Sequence, residues 1–105
     1  MATLKLTLSK APFEVMVTGE KQIEYRRVSK WIESRLFDKK QVLRPYEYVE
    51  FTNGYGADKP WFRVKFNGLV ISDTIDVTFS NGLRVTTSEK TYCIQLGDIT
   101  EKRFC

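Results

Sequence analysis

The densest run of chemistry-bearing side chains is Gly19-Glu20-Lys21-Gln22-Ile23-Glu24-Tyr25-Arg26. Lys21 follows a glycine expected to end a helix, which places its ammonium at a loop edge within reach of a phosphate or a polar base edge. With a strand beginning near Gln22, Glu24 and Arg26 share a face, one two-residue step or ~6.6 Å apart. A carboxylate between two cations can accept from an exocyclic amine, while the guanidinium donates a planar fork. The competing reading is that Glu24 neutralises Lys21 and Arg26 in a surface ion network of small energetic weight.

Other candidates lie close by in sequence. Arg26, Arg27, Lys30 and Trp31 set cations beside an indole, a mixture suited to a nucleic-acid backbone with one base stacked; the alternative buries Trp31 in the core. Tyr55, with glycine on both sides, is expected to present its ring to a base, or else to fold back over a barrel mouth. Asn53 either reads a base edge or simply forms the Asn53-Gly54 turn. Cys93 sits between Tyr92 and Ile94 and reads as a buried, inert thiol. Asp73 and Asp76 read as solvent-facing acids.

The chain contains no histidine, which excludes imidazole acid-base chemistry, histidine-dependent nucleophile pairs and His-ligated metals. Two cysteines, Cys93 and the terminal Cys105, are too few for a thiolate zinc site. No metal, cofactor or glycine-rich phosphate loop is expected. The formal charge is +4, and residues 1–44 hold ten Lys/Arg against five Asp/Glu, so the positive side lies in the half that carries the candidate site. The longest apolar runs are short and Lys5, Lys10 and Glu14 interrupt the first of them, so a membrane span and a secretory signal are not expected and the cytoplasm is.

The elements that must position these residues follow from periodicity. Leu4, Leu6 and Leu8 alternate with Lys5 and Thr7 over Thr3–Leu8, the pattern of a half-buried strand. Ser9 then caps a short helix over Lys10–Thr18 with Phe13, Met16 and Val17 on one face, ended by Gly19. Alternation returns over Gln22–Arg27, with Ile23 and Tyr25 expected inward. Ser29 caps a second helix over Lys30–Phe37. Strand-forming runs follow at Tyr46–Phe51 and throughout the C-terminal half, punctuated by Asn-Gly steps. Asn81-Gly82 is expected to be a two-residue hairpin turn, and Asn67-Gly68 either a turn or a bulge inside one long strand. At 105 residues this reads as one α+β domain: a small β-barrel of five or six mostly antiparallel strands with two short helices. The expected core is Leu4, Leu6, Phe13, Val17, Ile23, Val49, Phe51, Val64, Ile71, Ile94 and Leu96.

Gly19, Lys21, Glu24 and Arg26 fill the G-x-K-x-x-E-x-R signature of the ASCH family, a branch of the PUA-like barrels, and the chain resembles that family in two further blocks. Tyr48–Gly56 is similar to its second conserved strand and turn, and Tyr92–Ile99 to its closing strand. The resemblance implies a PUA-like barrel over residues 1–105 and an RNA- or nucleotide-binding module, with a cleft holding Lys21 and Arg26. The ligand, single-stranded RNA or a nucleotide or nucleoside, is expected between the Gly19–Arg26 corner and the Asn53–Gly56 loop. The family implies two enzymatic alternatives as well. One is hydrolysis of a modified nucleoside in the manner of the N4-acetylcytidine amidohydrolases, with Lys21 and Glu24 catalytic, although Glu24 stands where that subset carries its threonine. The other is ribonuclease action. A protein partner in the same cleft is a third alternative.

Overall fold

The computed structural model describes residues 2–54 and 58–103. Along the chain run β1 (Thr3–Leu8), α1 (Lys10–Val17), β2 (Ile23–Arg27), α2 (Lys30–Leu36), β3 (Tyr48–Asn53), β4 (Trp61–Ser72), β5 (Ile75–Thr78), β6 (Arg84–Thr87) and β7 (Thr91–Arg103). Five strands form one mixed sheet in the order β1-β3-β4-β7-β2, and β5 pairs with β6 in a separate two-stranded sheet. Only β1 and β3 run parallel; the other pairs are antiparallel. The large sheet curls into a half-barrel, so the α+β barrel-like architecture expected from the pattern is the one found. Among the described residues no helix is long and apolar enough to cross a membrane.

The curl has a local cause. β4 and β7 share a long ladder whose register shifts between Arg63 and Val64, between Val64 and Phe66, and between Phe66 and Leu69. Each such irregularity bends a strand and increases its twist. Asn67-Gly68 lies in the last of these shifts, so it is a bulge inside β4 and not a turn. Trp61–Lys65 of β4 pairs with β3, whereas Leu69–Ser72 has β7 as its neighbour and runs past the end of β3. Ile71, expected in the core, is therefore 52% exposed.

The concave side holds the apolar face. Leu4, Leu6 and Leu8 of β1 meet Val49 and Phe51 of β3, Phe62 and Val64 of β4, and Ile94 and Leu96 of β7, with Phe13 and Met16 of α1 and Ile32 and Leu36 of α2 packed against them. Phe62 sits between Phe13 and Phe51, with ring centroids 5.2 and 5.3 Å away. Burying each such ring is worth ~1.5–3 kcal/mol. Val17 and Ile23, also expected in the core, are only half-buried.

The helix ends differ. Ser29 Oγ accepts from the Ile32 amide at 3.2 Å, the cap expected of it, whereas Ser9 occupies the N-cap of α1 without a side-chain capping bond. Thr18 and Phe37 are C-caps just outside the two helices. Asn81-Gly82 does turn the β5–β6 hairpin, but through three residues where two were expected. The Phe79 amide bonds the Leu83 carbonyl at 2.8 Å and the Gly82 amide bonds Phe79 at 3.0 Å, with Gly82 at φ +87° taking the left-handed position that closes such loops.

Candidate ligand-binding seam

β1 and β2 are the two edges of the curled sheet, and no backbone ladder joins them. Side chains from the Lys21–Arg26 corner bridge the gap. Gly19, at φ +88°, reverses the chain after α1, and the Lys21 amide bonds back to the Val15 carbonyl at 3.1 Å, which turns the lysine inward. Its Nζ donates to the Ile23 carbonyl at 2.7 Å and to Glu24 Oε1 at 3.1 Å. The other carboxylate oxygen, Oε2, accepts from Arg26 Nε at 2.9 Å and lies 2.8 Å from Nη2. Arg26 Nη2 then reaches across to the Thr7 carbonyl of β1 at 3.0 Å. A side-chain chain of Lys21, Glu24 and Arg26 thus ties one edge of the half-barrel to the other.

This trio is not the surface network or the loop-edge lysine expected from the sequence. The Lys21 and Glu24 side chains are 2% and 5% exposed and Arg26 is 25% exposed. Strand register explains why. Glu24 lies opposite Ile94 and Arg26 opposite Tyr92, and directly opposed residues share a face. Ile94 and Tyr92 belong to the core, so the polar set of β2 faces inward and Ile23 and Tyr25 face away, the reverse of the expected alternation. Burial pushes the Lys21 ammonium below the usual lysine range; Glu24 opposes that shift and Arg26 adds to it. The Nζ also lies 5.3 Å from the centroid of the Tyr25 ring.

The seam opens into a cleft of about 310 Å³ lined by Thr7, Leu8, Ser9, Pro12, Lys21, Glu24, Tyr25, Arg26, Leu83 and Val85. Among the described residues its far wall is the β5–β6 hairpin, with Leu83 and Val85, and the Asn53–Gly56 loop expected there is described only as far as Gly54. Asn53 ends β3, where its amide bonds the Pro60 carbonyl at 2.9 Å, and it does not line the cleft. Tyr55 and Gly56 of that loop, and Cys105, lie outside the described residues. Trp31 is not a core residue: it is 48% exposed on α2 with the Arg35 guanidinium 5.3 Å from its ring centroid. Lys30 is exposed in the first turn of α2, and Arg27 is exposed with Glu89 at 4.0 Å. Cys93 is buried as expected, and burial pushes its thiol up. Asp73 is exposed, and Asp76 pairs at the surface with Arg84.

Sequence reasoning missed the hairpin wall and what holds it. Glu20 Oε2 accepts from the Ser80 amide at 2.7 Å and Oε1 accepts from the Ser80 hydroxyl, while Asn81 Nδ2 donates to the Ala11 carbonyl at 3.0 Å. The partners are 60 and 70 residues apart, so no local pattern announces them. The Ser80 bonds hold the Glu20 carboxyl below its ordinary pKa of 4.5. A depressed carboxyl contributes stability that is fully present above 4.5 and is lost as pH falls through the lowered value. Glu20→Gln is accordingly expected to lower the amide-exchange protection factors at Gly82 and Leu83 several-fold at neutral pH, and acidification of the wild type to lower them likewise once the intrinsic pH dependence of exchange is divided out. Equal exchange in both proteins would show that the latch does not hold the hairpin.

The class defined here is an α+β protein with a half-barrel whose open seam is closed by a buried Lys-Glu-Arg trio facing a small cleft. No family model matches the chain, and neither a curated protein nor a solved structure matches it.

Proposed function

We propose that the seam binds a nucleoside-sized part of RNA or a nucleotide, as an ASCH-type module acting in the cytoplasm. The observation that carries this reading is the buried trio opening on the cleft. Lys21 and Arg26 against Glu24 leave one net positive charge, at a site partly withdrawn from water, where electrostatic interactions are stronger than at a surface. The cleft volume is at the lower end of the range for small-molecule sites, so it suits one ring system with its sugar. Arg26 is the member of the trio that reaches solvent, and it donates to a base edge or phosphate. Lys21 is spent on Ile23 and Glu24 and acts by orienting Glu24.

The test is a titration with nucleosides, nucleoside monophosphates and short single-stranded RNA at several salt concentrations. Charge-assisted hydrogen bonds are worth ~1.5–3 kcal/mol, so Arg26→Ala is expected to weaken binding about 10- to 150-fold. No saturable binding at low salt would overturn the reading.

A second reading, hydrolysis of an acylated nucleoside or cleavage of RNA, draws on one observation. Burial outweighs Glu24 in setting the Lys21 pKa, and a lysine general base needs that lowered value. Turnover of N4-acetylcytidine or RNA by wild type, lost in Lys21→Met, would place catalysis above binding.

A further inference from the structure

Next to the cleft lies a second hollow of about 270 Å³, lined by Lys5, Thr7, Arg26 and Trp31. Thr7 and Arg26 line both hollows, so the two adjoin across the side chain that closes the seam. We propose that this hollow is a second base subsite, and that the ligand is a single-stranded oligonucleotide of at least two nucleotides whose second base stacks on Trp31. The inference rests on the nucleotide reading of the seam and specifies its ligand.

Three observations carry it. Trp31 is a large apolar ring left 48% exposed beside a concavity, and base-aromatic stacking uses such a ring without regard to sequence. The guanidinium of Arg35, 5.3 Å from the ring centroid, steadies the indole from its own helix. Finally, one of the two residues shared by the hollows is a cation, and a second cation lines the outer hollow. Arg26 stands at the shared wall, and Lys5, with a side chain 78% exposed and Glu50 at 3.9 Å, lines the second hollow. A phosphodiester joining two bound nucleosides passes between them, where a lone nucleoside has nothing to offer. Neither hollow alone has room for two nucleosides.

The experiment measures by calorimetry the affinities of adenosine monophosphate and an RNA dinucleotide for the full chain in a Trp61→Phe background, with the emission of the remaining indole, Trp31, recorded beside them where it is present. Stacking energies of the usual size correspond to about a 5- to 150-fold gain. The dinucleotide is therefore expected to bind tighter than the monophosphate by a factor in that range and to quench the Trp31 emission. In the same background Trp31→Ala is expected to bring the ratio of the two affinities close to one, and Trp31→Tyr to keep most of the gain. A ratio near one in the Trp61→Phe protein, or a gain that survives Trp31→Ala, overturns the second subsite while leaving the first in place. Absence of binding by either ligand overturns both.

Discussion

Glu24→Gln is expected to lower the stability of the folded chain by ~3–5 kcal/mol, the cost of removing one partner from a buried ion pair. The carboxylate is the only acid in contact with Lys21 and Arg26 among the described residues, and the amide that replaces it leaves two cations at the seam without a counter-charge. Against a total of ~5–15 kcal/mol for a domain, that loss lowers the melting temperature by ~12–40 °C. Arg26 has a way out, since a quarter of its side chain is already exposed. Lys21 has none, and escapes only by losing its proton.

That escape gives the prediction a pH signature. Burial already holds the Lys21 pKa below the ordinary 10.5, and removing Glu24, which opposes the shift, lowers it further. Between the variant's folded pKa and the wild type's, the variant has a neutral lysine in the fold while its unfolded chain binds the proton. Unfolded chains that bind more protons make stability rise with pH. The deficit of Glu24→Gln is thus expected to be largest near neutrality and to narrow as pH is raised toward the wild-type value. Urea midpoints from pH 7 to 10 measure it. A deficit under about 1 kcal/mol, the scale of an exposed pair, would mean that the trio does not hold the edges together.

The parts of this molecule written in local pattern were legible. Leu4, Leu6 and Leu8 announced a strand with one buried face, Ser29 announced a cap, and both short helices fall within a residue of where their apolar spacing put them. Spacing also placed Glu24 and Arg26 on one face. Which face was not legible, because alternation assigns the apolar set to the core and β2 does the reverse. Only the register with Ile94 and Tyr92, set by a strand some 70 residues later, turns the charged residues inward. The same holds for Ile71: its sequence is that of a buried strand, and its exposure comes from β3 ending before the far half of β4. The hairpin wall at Leu83 and Val85 and its latch from Glu20 to Ser80 are tertiary facts with no local signature. Trp31 shows the converse, since helical spacing beside Ile32 and Leu36 left both faces open to it and packing put it outside.

Replacing the whole trio separates its two roles. The triple variant Lys21→Met, Glu24→Leu, Arg26→Met is expected to fold as well as the wild type, or ~1–4 kcal/mol better, because apolar side chains of similar volume carry no desolvation cost. The same protein is expected to lose nucleotide binding by at least as much as Arg26→Ala, about 10- to 150-fold, since the charge-assisted contact of ~1.5–3 kcal/mol made by Arg26 disappears. Melting curves and the nucleotide titration on one preparation decide it. A triple variant as unstable as Glu24→Gln would mean that the Arg26 bond to the Thr7 carbonyl is what joins β1 to β2, and that hydrophobic contact does not substitute for it. A stable triple variant that still binds within tenfold of wild type would move the ligand away from the seam. The expected pairing of an unharmed fold with a lost ligand fits a simple physical asymmetry. A lysine, glutamate and arginine set into a seam stabilise a small barrel no better than packed methylenes do, so that pairing of results would make ligand binding the reason for their place between the sheet's two edges.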